Sequence, residues 1–454
     1  MGAFADPGGQ GIRAGGSAMI ESFIEIPDQL ADLLKSAGSA PPPRPLNRNI
    51  AVYGDSRAFQ CTKGNVGLAF WASALSGGLA AFPTALNAGV DGDTTAQQVA
   101  RMPLILAQAA NFDVLIHFGT GNDRLQGMSI AQTISNLNFI YDTLLARGKT
   151  IITIAETPVH GPGIGLGASV IADHYMVHQW LLNEAPKKGI LVANPWDKMV
   201  DPASGASYLP LPGMVGDGVH PSPMGGEVIG AAVAEVLGKI FSNRVTLPTA
   251  NLPFSSSPAA TANLSGSLIP NPLLTGTTGT VTAGSGGTIT SSGIAANCVL
   301  SGTNLAGLTV TPSKLANSTA GDFQVLKVSG TPTGNNPTLV LEQSIPVASL
   351  FANEVIKAFG KWELTSASNS VLQVALQLQA VNGAGTTTLY QSGQNQELAH
   401  PIAAGQKSGI FETQALTITE PLTSLKVRLV ASFVKGAAQD VTIKLAQVDA
   451  RQAA

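Results

Sequence analysis

Gly54-Asp55-Ser56 closes an apolar run, so a serine hydroxyl stands on the turn leaving a strand, a place suited to a nucleophile. The same tripeptide is ordinary turn and N-cap chemistry, because Asp and Ser bond neighbouring backbone readily. Asp217-Gly218-Val219-His220-Pro221 is the block that could serve such a serine. A carboxylate three residues before an imidazole can accept the ring N–H, fix its tautomer and stabilise the imidazolium formed when the ring takes a proton. Standing alone, that block reads as a solvated loop Asp and a surface His.

Two further blocks could supply hydrogen-bond donors to a developing anion. In Asn87-Ala88-Gly89-Val90-Asp91-Gly92-Asp93-Thr94-Thr95, Gly92 lets the backbone approach a ligand and offer its N–H. Those residues serve equally as a glycine turn with Asp93 or Thr94 capping the next helix. The run FDVLIHF leads into Gly119-Thr120-Gly121-Asn122-Asp123, where the Asn122 amide can point at an oxyanion. Any tight turn would also use Asn and Asp after Gly.

These blocks need elements to position them. From residue 48 to 243 short β-branched runs (NIAVYG, FDVLIHFG, KTIITIAE, GILVAN) alternate with helical stretches, which predicts a parallel sheet covered by helices on both faces. Sites in that architecture form at the carboxyl ends of the strands, where every block falls. Residues 1–47 read as an N-terminal adaptor arm with a stiff Pro41-Pro42-Pro43 tether, and 244–267 as a linker. Residues 268–454 lose the helical signal. There Leu372, Val374, Leu376 and Leu378 alternate with Gln373, Ala375 and Gln377; Leu425, Val427, Leu429 and Val441, Ile443, Leu445 repeat the pattern. Period-2 runs between Gly, Asn and Pro turns predict an antiparallel β-sandwich.

Taken together and in order, the GDS at Gly54–Ser56, the glycine Gly92, Asn122 in GND and DGVHP at Asp217–Pro221 resemble the four sequence blocks of the SGNH (GDSL) hydrolases. The resemblance covers under half the chain. It implies an α/β, three-layer αβα, flavodoxin-like domain with Ser56 as nucleophile, His220 as general base and Asp217 orienting His220. The backbone N–H groups of Ser56 and Gly92, with the Asn122 side chain, would form the oxyanion hole. No cofactor or metal is called for. Two positions depart from the family pattern: Thr120 stands where Gly is usual, and Arg57 follows the nucleophile where Leu is common. Arg57 would contact a polar or anionic substrate group, or else pair with a surface carboxylate.

Composition narrows the partners. Charged residues are 12% of the chain and the net charge is −3, so bulk electrostatics steer it toward neither nucleic acid nor an anionic membrane, and a neutral glycan fits better. The two cysteines, Cys61 and Cys298, exclude a disulfide framework. No apolar run reaches the ~20 residues of a membrane helix, and no signal-peptide pattern is visible at the N-terminus. His174 and His178, four apart on a helix, lack a companion Glu or third ligand and read as structural. His160, on a Gly-rich loop, is a candidate substrate contact or a loop-surface residue, and His117 a core or sheet-face histidine. The C-terminal region looks similar to the jelly-roll domains of carbohydrate-binding modules. Its Phe359, Trp362 and Tyr390 would stack on sugars or, the favoured reading, fill the sandwich core.

The resulting expectation is an esterase removing O-acetyl groups from a cell-surface polysaccharide. The module order resembles that of bacteriophage tail spikes, which implies an extracellular or virion-associated homotrimer. A lipolytic or thioesterase-like hydrolase is the enzymatic alternative, and a non-catalytic receptor-binding or structural virion protein the other.

Overall fold

The computed structural model describes residues 46–63, 67–159, 167–242, 244–251, 266–282, 286–392 and 400–452. Five of its strands form a parallel sheet: β1 (Ile50–Gly54), β2 (Asn87–Gly89), β3 (Val114–Phe118), β4 (Thr150–Ile154) and β5 (Leu191–Ala193). Their order is β2-β1-β3-β4-β5, the flavodoxin-like arrangement of a doubly wound sheet. All residues of β1 and β3 are buried, which is why their sequences are continuous apolar runs. Strand β2 was not expected: its three residues, Asn-Ala-Gly, have no apolar pattern, and only pairing from Val52↔Asn87 to Gly54↔Gly89 reveals it.

Helices α1 (Ser56–Phe59), α2 (Leu68–Leu75), α3 (Thr95–Ala107) and α4 (Gly121–Leu125) precede β4, with α5 (Ile130–Leu145) completing that half. Then come α6 (Ala168–Asn183), α7 (Trp196–Met199) and α8 (Pro223–Ile240). Thr94 caps α3 in a reciprocal capping box with Gln97, and Ser222 caps α8 ahead of Pro223. Met102 and Ile105 of α3, Leu137 and Ile140 of α5, and Val177 and Leu181 of α6 close one apolar core over Ala51, Tyr53, Leu115 and Ile151 of the sheet. Helix α8 packs on α2 and on β4 and β5. No helix among the described residues is long and apolar enough to cross a membrane.

The remaining strands are β6 (Thr280–Val281), β7 (Thr288–Ile289), β8 (Val299–Thr303), β9 (Leu308–Ala316), β10 (Asp322–Gly330), β11 (Thr338–Ile345) and β12 (Val355–Ser366). They continue with β13 (Val371–Asn382), β14 (Thr387–Gln391), β15 (Gly405–Glu412), β16 (Leu416–Thr417), β17 (Leu422–Phe433) and β18 (Gln439–Gln452). One sheet runs β15-β12-β18-β10-β9-β7 with β16 beside β12, and the other runs β14-β13-β17-β11-β8-β6. The successive pairs β10–β11, β12–β13 and β17–β18 each cross from one sheet to the other. Alternation holds in β17, where Leu425, Val427 and Leu429 are buried and Lys426 and Arg428 are not. It fails in β13, whose Gln373 and Gln377 are buried as well, the latter bonded to Gln391 of β14 at 2.8 Å.

The two halves share packing. Phe70, Trp71 and Ala74 of α2 belong to the same apolar cluster as the sandwich core, and α2 lies against β15. Arg48 pairs with Glu412 at 2.7 Å, and Lys407 with Glu227 at 2.8 Å, across that contact. Trp362 is buried and stacked on Phe411 at 4.5 Å, Phe359 is buried, and Tyr390 packs partly buried against the core, so these aromatics are structural rather than a sugar platform.

Candidate active site

Strand β1 ends at Gly54 with φ 150°, and a Cβ there would lie 1.9 Å from the Phe118 carbonyl of β3, so only glycine fits the turn that presents Ser56. Asp55 caps α1 by accepting the Arg57 N–H at 2.9 Å, which places Ser56 at the first helical position. His220 is held by a small stapled turn. Val215 pairs with Pro221, the Gly216 N–H donates to the His220 carbonyl at 2.9 Å, and the Ser222 N–H donates to Met214 at 3.0 Å. Within that turn Asp217 Oδ1 accepts the N–H groups of Val219 (3.0 Å) and His220 (2.8 Å).

His220 Nδ1 donates to Asp217 Oδ2 at 2.7 Å, and Nε2, left as the acceptor, receives the Ser56 hydroxyl at 2.8 Å. Burial favours the protonated acid, but the His220 backbone and ring donors, with the Val219 N–H, hold Asp217 down at about 2. The carboxylate is therefore ionised at neutral pH. The dyad is open to solvent: the side chains of Asp217 and His220 are 61% and 27% exposed.

The expected oxyanion donors converge on the same end of β1. The Val90 N–H donates to the Gly54 carbonyl at 3.1 Å, which carries the loop after β2 alongside Ser56. Gly92 adopts φ 79°, a left-handed conformation natural for glycine. Asn122, in the first turn of α4, donates its side-chain amide to the Asp93 carbonyl at 3.1 Å, fastening it to that loop. Neither the Ser56 nor the Gly92 N–H donates to another described residue.

Arg57 is a correction. Its side chain is fully buried rather than open to solvent, with Nη2 2.8 Å from Asp55 and Nη1 2.6 Å from Glu156. It lies over the Phe118 ring at 4.3 Å. The alternative of a carboxylate partner holds, except that both carboxylates are interior. The reason is local: Asp55 caps the helix and clamps the next residue's guanidinium, turning it inward. Glu156, just beyond β4 with φ 58°, gives its other oxygen to the Thr120 N–H (3.2 Å) and hydroxyl (2.5 Å). Thus the two departures from the SGNH pattern, Arg57 and Thr120, meet on one carboxylate. Burial opposes its ionisation, but Arg57 and His174 with these hydrogen bonds lower it to about 2.

Several supporting residues escaped the sequence reading. Arg101 of α3 donates to the carbonyls of Ala88 (2.5 Å) and Gly54 (2.6 Å) and pairs with Asp93, bracing β1, β2 and the Gly92 loop together. Asp123, buried, accepts from the Thr95 N–H (2.7 Å) and hydroxyl (2.6 Å) and from Thr133 (2.6 Å), joining α3, α4 and α5. Glu156 had one signal: it is the charged residue ending an apolar strand run. His174 donates to the Thr157 carbonyl at 2.8 Å, and His178 donates to that of Ala155. Both are buried, which lowers their pKa against the raising effect of Glu156. No group of three or more His, Cys, Asp or Glu among the described residues could hold a metal ion. His117 is buried between Gln98 (2.9 Å) and Tyr141 (3.1 Å), as a core histidine. His160 lies outside the described residues.

With this geometry in hand, residues 52–228 match the GDSL-like Lipase/Acylhydrolase family. Ser56, Gly92, Asn122, Asp217 and His220 all fall within that stretch. A curated relative, Esterase TesA of Pseudomonas aeruginosa, is 38% identical over 79 residues, which are 17% of this chain and 39% of that protein. The chain therefore matches about two fifths of that relative's length. Among solved structures, a lipolytic-family protein of the G-D-S-L type from Desulfitobacterium hafniense is 17% identical with a TM-score of 0.34, covering 42% of this chain and 99% of its own. The enzymatically active domain of tailspike protein 4 of bacteriophage CBA120 is 14% identical with a TM-score of 0.25, covering 35% and 20% respectively.

Proposed function

We propose that the protein is a carboxylic ester hydrolase in which Ser56, His220 and Asp217 form the catalytic triad. One observation carries this reading: an unbroken line from the Ser56 hydroxyl through His220 to Asp217, with links of 2.8 and 2.7 Å. As Oγ attacks the ester carbonyl, Nε2 takes its proton, and the Asp217 anion stabilises the imidazolium. The tetrahedral oxyanion is met by the N–H groups of Ser56 and Gly92 and by the Asn122 amide. The imidazolium then protonates the departing alkoxide, leaving an acyl-serine that water opens by the same proton transfers in reverse.

The substrate we assign is an O-acetyl group on a cell-surface polysaccharide, cleaved by a protein working outside the cell or on a virion as a homotrimer. The exposed triad turn favours an acyl group on a bulky carrier over one drawn deep into the protein. The low charge favours a neutral carrier. The crossing of successive strands between sheets supports a jelly-roll reading of the sandwich, a module that would hold glycan or neighbouring subunits.

The test is acetate release from a panel of O-acetylated polysaccharides, alongside nitrophenyl esters of short and long acyl chains, for the wild type and Ser56→Ala. The expected result is release from at least one polymer, preference for the acetyl over long-chain esters, and loss of ~10⁴-fold or more in kcat for the variant. Preference for long chains with no polymer activity would overturn the glycan assignment in favour of a lipolytic one. Undiminished hydrolysis by Ser56→Ala would overturn the triad.

A further inference from the structure

The rim that carries Ser56 also carries an aromatic stack that the catalytic steps do not use. Tyr175 of α6 stacks on Tyr208 with ring centres 4.2 Å apart and planes at 17°. Behind them His178 stacks on Trp196 at 4.3 Å, and Tyr175 touches both, at 5.6 and 5.7 Å. The stack is graded in burial: His178 and Trp196 are buried, while Tyr175 and Tyr208 are partly exposed.

Its position follows from its attachments. His178 and His174, flanking Tyr175 on α6, donate to the carbonyls of Ala155 and Thr157 just beyond the carboxyl end of β4. The Thr157 hydroxyl in turn contacts Arg57 at 3.3 Å, next to the nucleophile. Trp196 opens α7 immediately beyond β5, and α4, which bears Asn122, packs against α6. Tyr208 sits on the segment leading into the His220 turn, where Val200 pairs with Pro210.

The backbone of Tyr208 is unusual. It has φ 44°, a left-handed conformation that non-glycine residues adopt at a cost, and its surroundings enforce it. Its N–H donates to Gly205 at 3.2 Å, the Leu209 N–H donates to Ser204 Oγ at 3.0 Å, and the Asp201 N–H donates to Leu209 at 2.7 Å. The loop closes on itself and drives the Tyr208 ring onto Tyr175. A ring held in a disfavoured backbone state, capping a stack whose innermost members, His178 and Trp196, are buried, is built to present its face.

We propose that Tyr208, backed by Tyr175, is a pyranose-binding subsite that lays the polysaccharide chain across the rim while an acetyl group reaches Ser56. This rests on the glycan reading above. The electropositive C–H face of a sugar ring matches the negative face of a phenol ring, and the two tyrosine hydroxyls add polar groups at its edge.

The experiment compares wild type, Tyr208→Ala and Tyr208→Trp on chemically acetylated xylan and cellulose oligosaccharides, and on p-nitrophenyl acetate, which has no sugar. Tyr208→Ala should raise KM for the acetylated oligosaccharides about tenfold with kcat little changed. Its kcat/KM on p-nitrophenyl acetate should stay within about twofold, and Tyr208→Trp should restore the sugar KM. Tyr208→Ala with wild-type KM on a sugar that the wild type deacetylates would overturn the subsite alone. A wild type that cleaves p-nitrophenyl acetate but releases no acetate from any sugar would overturn the glycan reading and the subsite with it. A fall on both substrate classes that Tyr208→Trp does not repair would mean the loop only supports the triad.

Discussion

The polar side chains buried in the two halves differ in kind. Under the carboxyl ends of β1, β3 and β4 they include a cluster of charges: Asp55, Arg57, Asp123 and Glu156 are all interior. In the sandwich amides are the largest group, among them Gln324, Gln343, Gln373, Gln377 and Gln439; its buried Glu412 and Lys407 lie where it meets the α/β half, and its buried Asp449 is beside Arg451. Gln324 donates to the carbonyls of Gly293 (2.9 Å) and Ser313 (3.0 Å) and accepts the Ala295 N–H (2.7 Å), tying loops to strands. A buried charge is costly unless its partners are all in place, so it permits few geometries; a buried amide is cheaper and more forgiving. Charges are therefore concentrated where position must be fixed to fractions of an ångström, beneath Ser56, the proposed nucleophile, and amides serve where loops only need fastening.

Breaking the charged side should have the largest effect. Glu156→Gln leaves Arg57 with one buried carboxylate, and should cost about 3–5 kcal/mol in urea unfolding, in line with the loss of one partner from a buried ion pair, together with most ester hydrolysis. It should also change the pH response. With its carboxyl lowered from 4.5 to about 2 in the fold, Glu156 stabilises the protein fully above pH 4.5, and this stability is lost as pH falls toward 2. Unfolding free energies measured across that window should fall in the wild type and be flatter in Glu156→Gln; equal slopes would remove Glu156 from the account.

The amide side should respond more gently. Gln324→Ala should cost about 1–3 kcal/mol, since it strands a backbone donor and acceptors, and leave kcat on p-nitrophenyl acetate at the wild-type value. A kcat loss matching that of Glu156→Gln would show that the two halves are not separated in this way.

Much of this arrangement was legible in the sequence, for identifiable reasons. Ser56, Asp217 and His220 were visible because each lies in a short block whose residues act on one another locally, and the Asp217–His220 turn is complete within four residues. Strands β1, β3, β4 and β5 announced themselves as apolar runs. What stayed hidden depends on contacts between distant segments. Strand β2 exists by pairing rather than by its own side chains. The inward turn of Arg57 needs Glu156, 99 positions away, and the brace from Arg101 needs the carbonyls of Gly54 and Ala88. The covered face of β13 likewise hides Gln373 and Gln377, which period-2 alternation assigned to solvent.

The most direct check of the central claim is covalent labelling of the intact chain with a fluorophosphonate, read by peptide mass spectrometry. A single adduct on Ser56, absent from His220→Ala, is the predicted result. An adduct on another residue in active protein, with Ser56 unmodified, would contradict it.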